Sequence, residues 1–330
     1  MKNVLLLILI FVVSFGCAKK EDKAKVWIYT SLYKDTVNDL KKKMEKDFPN
    51  IDVQFYQAGS EEVAAKVQAE KLAGSIQADI LISSDRFWYE DMGSQGVLLS
   101  YKPAGTEKVE ASFKHPEGFY TAVSLPVMVM AYNSESVSEK DAPKSFKELT
   151  EAKWKDKASS GSPLASGTSF TTVAFLVKEY GWDYYKALRK NNFIAEGGNS
   201  GVVRRLQSKE RPVGIVLLEN LLRLTESDPR IKTIIPSDGA VIQANVLAIV
   251  KKEGDQAATK KIADWMFAQV GQEAMVQSFM YATIPGHTEP KGAPALSDLL
   301  KTAQPWSPEF ISETMKTREQ IKDQFSKIVF

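Results

Sequence analysis

The alternation of strand-like and helix-like segments that begins at Val26 constrains this chain more than any other feature. Residues 26–30, Val-Trp-Ile-Tyr-Thr, are β-branched and aromatic and predict a strand. Residues 34–48 follow with apolar side chains at Val37, Leu40, Met44 and Phe48, the spacing of one helix face, and Pro49-Asn50 stops them. A second strand is predicted over 51–56. Gly59-Ser60 opens a helix over 61–73, with Ser60 as its expected N-cap, Glu61 and Glu62 at its positive end and Gly74 as its C-terminal cap. Residues 78–82 predict a third strand, and Ser83-Ser84-Asp85 begins the next helix. Strand, helix, strand, helix at this spacing predicts a parallel sheet with crossover helices, an α/β architecture.

The pattern breaks at 119–133, a β-rich run long enough to pass from one lobe into another. A second α/β set follows, with helices expected over 170–180, 182–189 and 201–208 and strands over 193–196, 213–218 and 231–236. A strand over 244–250 returns the chain to the first lobe, helices follow over 255–269 and 272–280, and the tail 295–330 reads as mainly helical. The expected division is lobe 1 over 26–122 and 246–285, and lobe 2 over 123–245 and 286–330.

The first residues concern the compartment. Lys2 precedes ten unbroken apolar residues from Val4 to Val13. As a helix these span about 15 Å, half of a bilayer core of roughly 30 Å, so they read as the apolar core of an export signal rather than a membrane span. Cys17 is the only cysteine, which excludes an internal disulfide. Ser14-Phe15-Gly16-Cys17 resembles a bacterial lipobox. That resemblance implies removal of a leader over 1–16, lipidation of Cys17, and a charged tether over 17–25 holding the body to a membrane on the periplasmic or cell-surface side. Lys2 leaves with the leader, so of 43 basic side chains almost all remain, against 41 acidic ones. This balance supplies no field for nucleic acid. The chain has no HExxH, GxSxG or P-loop motif and no paired Cys/His set, so an enzyme is not expected.

In open α/β sheets ligands bind beyond the carboxyl ends of strands. Those ends read Thr30-Ser31, Gly59-Ser60, Ser83-Ser84-Asp85, Ser166-Gly167-Thr168-Ser169 and, around the third helix of the second lobe, Gly197-Gly198-Asn199-Ser200-Gly201; Glu219-Asn220 ends the strand at 213–218. Each Ser, Thr, Gly or Asn is explicable alone as a cap or turn. Five such segments on both lobes point instead to a shared cleft that holds an anion with hydroxyl and backbone N–H donors.

Residues 26–31, Phe48-Pro49-Asn50-Ile51, 78–85, 143–149 and Pro163-Leu164-Ala165-Ser166-Gly167-Thr168, followed by Tyr184-Tyr185-Lys186-Ala187-Leu188, resemble the ferric-binding-protein-like branch of ABC importer solute-binding proteins. The likeness covers most of the chain after Lys25. It implies a two-lobed periplasmic binding protein fold with crossing hinge strands and a cleft that closes on ligand. It also implies a monomer that delivers a small solute to the permease subunits of an ABC importer and needs no cofactor. Iron-binding members resemble one another in a tandem tyrosine pair where this chain has Glu219-Asn220-Leu221-Leu222. Tyr184-Tyr185 lies mid-helix, where packing explains it, and His115 and His287 lie outside the strand ends, so no metal ligands are assigned. At Ser166-Gly167-Thr168 and Glu219 the chain more closely resembles members that bind hexose phosphates or phosphonates. The hydroxyls of Ser31, Ser84, Ser166, Thr168 and Ser200 fit that likeness as expected donors to phosphoryl oxygens. Glu219 is expected to accept from sugar hydroxyls or pair with an amine, or else to form an ion pair with Arg223. Arg204 or Arg205 either reaches the anion or lies on a solvated face. Ferric iron or an iron chelate, and ligand presentation to a sensor, remain as alternatives.

Overall fold

The computed structural model describes residues 23–330. Cys17, the leader and most of the tether lie outside the described residues.

The chain first forms β1 (Ala24–Thr30), α1 (Lys34–Asp47), β2 (Ile51–Gln57), α2 (Ser60–Leu72), β3 (Ile80–Ser83), α3 (Arg86–Ser94) and β4 (Thr121–Leu125). It then builds β5 (Val127–Asn133), β6 (Ala158–Ser160), α4 (Gly167–Tyr180), α5 (Trp182–Lys190), β7 (Ile194–Ala195), α6 (Asn199–Ser208), β8 (Val213–Leu217), α7 (Leu218–Leu224), β9 (Ile231–Ile234) and β10 (Val241–Ile242). After β11 (Asn245–Ile249), α8 (Ala257–Phe267), α9 (Gln269–Gln277) and β12 (Tyr281–Ala282) come α10 (Leu296–Leu300) and α11 (Pro308–Val329).

These strands make two six-stranded sheets, one in each lobe. The first has the order β12-β4-β11-β3-β1-β2, and the second runs β10-β5-β8-β6-β7 with β9 also on β5. Strands β1, β2 and β3 are parallel, as the alternation predicts, while β11 is antiparallel to both β3 and β4. Val26 and Ile28 of β1 and Val37, Leu40 and Met44 of α1 close the first core, where burial supplies most of the folding drive.

The register decides where the ends fall. Thr30 pairs with Gln57 and with Ile82, so β1, β2 and β3 end along one edge. Strand β4 ends at that edge too, because it and β3 both run antiparallel to β11. Met128 pairs with Leu217, so β5 starts and β8 ends at the facing edge of the second sheet. The chain crosses between sheets at Pro126 and returns between Ile242 and Asn245, and the Gln243 amide donates to the Pro126 carbonyl at 2.9 Å, tying the crossings together.

Several boundaries differ from expectation. The run 119–133 forms two strands, one in each sheet, broken at Pro126, whose missing N–H suits a place between ladders. Helix α4 starts at Gly167 and α6 at Asn199, because the polar residues expected as preceding turns form the first helical turns. Gly59, not Ser60, is the N-cap of α2, and the Ser60 hydroxyl is used elsewhere. Gly74 follows the C-cap with φ +93°, a conformation that glycine adopts without strain. The tail is interrupted between α10 and α11, where Ser307 caps α11 and Pro308 occupies its first turn. Helix α11 touches both lobes: Phe310 lies 4.3 Å from Phe175 of α4 between ring centroids, while Arg318 bonds Asp85 and Glu61 of the first lobe.

Candidate functional site

A cavity of about 230 Å³ lies where the two sheet edges face each other, around the chain crossings. Of the residues expected there, Ser31, Ser60, Ser84, Ser166, Thr168, Asn199, Ser200 and Glu219 form its wall. Thr30, Ser83, Gly167, Ser169 and Gly201 do not. Thr30 and Ser83 are fully buried, and successive strand residues point to opposite faces, so where Ser31 and Ser84 face the cavity their neighbours cannot. The Gly167 amide is taken by Ser60 Oγ at 2.9 Å. Ser169 Oγ turns into the second lobe, where a Cβ added to Gly161 would approach it to 2.4 Å. Gly201 donates its amide to the Gly198 carbonyl at 2.9 Å and stays within its own turn.

The elements position these groups in a simple way. Helices α2, α4 and α6 begin at the cavity, with their N-caps Gly59, Ser166 and Gly198 on its wall, while Ser84 brings the chain just before α3 to it. The first N–H groups of a helix have no partner within it, and the helix end carries partial positive charge. Asp85 and Ser166 each cap their own helix, accepting from the Trp88 and Ser169 amides at 3.3 Å. Ser166 Oγ and Thr168 Oγ1 are 2.9 Å apart, and Asn199 Nδ2 donates to Thr168 Oγ1 at 3.0 Å. The wall carries no lysine, arginine or histidine. Arg205 does not reach it, being held by the Ser160 and Glu196 carbonyls, and Arg204 is not on the wall either.

Glu219 is the wall's one carboxyl group. It is 4% exposed and its Oε2 has no hydrogen-bond partner. Burial pushes its pKa up to about 8, with the Arg223 charge pulling the other way. The two residues form no ion pair among the described residues. Arg223 instead reaches across to the first lobe, donating to the Ser278 carbonyl at 3.0 Å and to Thr36 Oγ1 at 3.4 Å. Asn199 Oδ1, also buried, likewise lacks a donor. A cavity with two orphaned acceptors suits a ligand that brings hydroxyl or amine hydrogens.

Sequence reasoning missed Tyr33, Gln57 and Asn245, which also line the cavity. Tyr33 donates from its hydroxyl to Asn220 Oδ1 at 2.8 Å across the lobes, and burial, then Glu219, raise its pKa. Gln57 was within reach of the strand-end rule, since it ends β2 beside Thr30. Tyr184 and Tyr185 are buried in the second lobe, with Tyr184 donating to the Phe146 carbonyl at 3.0 Å. A larger, open hollow of about 1010 Å³ lies around Lys25 and Trp27 at the opposite edge of the first sheet. Two of its carboxylates are already engaged, Asp79 with Lys252 at 2.6 Å and Glu70 with Lys66 at 2.9 Å. The interlobe cavity, with unmet polar groups, is the better candidate.

Two α/β lobes joined by crossing strands around such a cavity define a two-lobed solute-binding protein. Residues 75–304 match the family described as bacterial extracellular solute-binding protein, and the chain belongs to that family. It is accordingly an extracytoplasmic solute-binding protein and not an enzyme. A probable ABC transporter periplasmic-binding protein of Sinorhizobium fredii is 22% identical over 224 residues, which span 65% of this chain and 62% of that protein. The periplasmic binding protein AfuA from Actinobacillus pleuropneumoniae, with exogenous fructose-6-phosphate bound, superposes with a TM-score of 0.82 at 21% identity, covering 93% of this chain and 99% of that one. Iron-bound HitA from Pseudomonas aeruginosa gives 0.79 at 18% identity, covering 91% and 99%. Likeness at this identity establishes the fold. Among the described residues no helix is long and apolar enough to cross a membrane.

Proposed function

We propose that the interlobe cavity captures a small organic anion, a phosphate or phosphonate ester bearing hydroxyl or amine groups, for delivery to importer permease subunits. The observation that carries this reading is the convergence of three helix N-termini on a wall without basic side chains, opposite a buried, unpartnered carboxyl. Ser31, Ser60, Ser84, Ser166, Thr168 and Ser200 supply hydroxyl donors, and helix N–H groups supply the rest. Glu219 holds the other end of the ligand. Near pH 7 its raised pKa keeps it mostly protonated in the empty cleft, so it does not repel an arriving anion. Ligand donors at Oε2 then favour its ionised form, with a proton released. AfuA's bound sugar phosphate is consistent with this class of ligand.

Iron is the second reading, favoured by HitA and by one local feature: the phenol of Tyr33 and the carboxyl of Glu219 share the wall. A thermal-shift screen separates the two, using sugar phosphates, phosphonates, inorganic phosphate, free sugars and ferric citrate. A ligand at about a hundred times its Kd adds roughly 2.7 kcal/mol, a rise of several degrees in a chain of this size. A rise with phosphorylated compounds alone supports the anion reading, and a rise with ferric citrate alone overturns it. We further propose that Cys17 carries a lipid anchor, so that Cys17→Ala moves the exported protein from the membrane fraction to the soluble one; continued membrane association refutes the anchor.

A further inference from the structure

A second cavity, of about 590 Å³, lies between α3 and the start of α11 and shares no wall residue with the interlobe site. Its size falls within the range of small-molecule pockets, about 300–1,000 Å³. One side is apolar, made by Trp306, Pro308, Ile311 and Met315. The other presents Arg86, Glu90 and His115.

Arg86 is the unusual member. It is 3% exposed, and its guanidinium lies 5.1 Å from the Trp306 ring centroid. Nε donates to the Tyr120 hydroxyl at 2.7 Å, and Nη1 donates to the Ser112 carbonyl. Nη2 has no partner among the described residues, although a guanidinium carries five N–H donors in a fixed fork. Glu90 does not fill that place. It accepts from the Tyr120 hydroxyl, lies 3.5 Å from His115 Nε2, and stands 3.9 Å from Arg86 Nε rather than at Nη2. Lys114 is tied to the Thr106 and Glu107 carbonyls at 2.9 and 3.2 Å. Burial holds His115 below the ordinary histidine pKa, so at neutral pH it adds little charge. The cavity therefore sets two fixed cations against one carboxylate that is already hydrogen-bonded.

We propose that this cavity is a second binding site, for a small carboxylate with a flat apolar body: the carboxylate on Arg86 Nη2, the body against Trp306 and the apolar wall of α11. A carboxylate on a guanidinium forms a charge-assisted hydrogen bond, stronger than a neutral one, and the guanidinium is already oriented by its other two partners. The site stands apart from the interlobe reading and does not depend on it.

The test is titration calorimetry of the purified protein with 1-naphthoate and its uncharged analogue 1-naphthamide. One saturable naphthoate site is expected, with naphthamide weaker by about tenfold or more, the loss expected for a hydrogen bond to a charged group. Ser312→Trp, at an exposed position on the rim, fills the cavity and abolishes binding while leaving Tm unchanged. Arg86→Lys keeps the charge, loses the fork and weakens binding, whereas Thr168→Val in the interlobe cavity changes nothing. No saturable heat up to the solubility limit overturns the site. Equal binding of acid and amide overturns the role of Arg86. Binding that survives Ser312→Trp but is lost in Thr168→Val belongs to the interlobe cavity and also overturns it.

Discussion

The two walls of the interlobe cavity are built differently. On the second lobe the polar groups are wired to one another: Ser166 and Asn199 both meet Thr168 Oγ1, while Gln243 Nε2 donates to the Thr168 carbonyl at 2.9 Å and to Thr172 Oγ1 at 3.0 Å. On the first lobe the groups are wired across the gap. Ser60 accepts from the Gly167 amide, Tyr33 donates to Asn220, and Ser84 has only Ser60 at 3.4 Å. The second wall is thus held by bonds within its own lobe, while Ser60 and Tyr33 on the first are held by bonds to the second. Ligand ordering costs less on a wall that is already held, so the second lobe is where affinity concentrates.

That comparison can be broken by substitution, using the phosphate ester that raises Tm most. Thr168→Val leaves Ser166 and Asn199 without their shared partner and removes a donor. The loss of about 2–3 kcal/mol expected for a buried charged hydrogen bond gives a fall in affinity of about a hundredfold by calorimetry. Ser31→Ala on the opposite wall lowers affinity by only about threefold. If the two variants fall equally, the walls are equivalent and the contrast fails.

Gly167→Ala tests closure itself. An added Cβ would stand 2.9 Å from Asp85 Cβ and from its amide nitrogen, so the start of α4 can no longer approach α3. Overpacking of this kind costs about 1–3 kcal/mol, here as an affinity loss of about tenfold with a larger radius of gyration by solution scattering. An unchanged radius and affinity show that the approach is not needed.

Glu219→Gln sharpens the role of the single carboxyl. A folded pKa near 8 against an unfolded value near 4.5 means that the empty folded state binds more protons over that window. Its stability contribution is complete below the lower value and is lost as pH rises through the upper one. The wild-type Tm therefore declines from pH 5 to 9 in part through this group. The Gln variant declines less and is more stable at pH 9 by about a few degrees. Proton release on binding, read in buffers of different ionisation enthalpy, disappears in the variant; its persistence assigns the proton elsewhere. A modest effect is expected for Ser60→Ala, which removes one interlobe bond and lowers affinity by about fivefold, for roughly 1 kcal/mol.

How far the site was legible in the chain follows from strand geometry. Parallel strands β1 and β3 announced their own ends through Ser31 and Ser84, yet the adjacent Thr30 and Ser83 look identical in sequence and face the other way. Asn245 was illegible to the same rule. It begins an antiparallel strand, so its first residue, not its last, reaches the cavity edge. Tyr33 gave no signal, because an aromatic residue after a strand reads as packing. Glu219 was found from its place after β8, but not its isolation from Arg223, which depends on Arg223 meeting Ser278 and Thr36, residues far away in the chain. The first-lobe alternation was plain because each segment carries its own period. The boundaries of α4 and α6 were not, because small polar residues serve equally as turns and as first helical turns.

Pro126 and Asn245, at the two chain crossings, are themselves part of the cavity wall. Were one lobe to turn against the other about these crossings, a solute held there would sit close to the axis. Points on a turning body travel in proportion to their distance from the axis. Small changes in contact at such a solute would then become large displacements at the outer rims of the lobes, a lever with its load at the fulcrum. Whatever reads occupancy from outside does best to read it at the rims, where the travel is greatest.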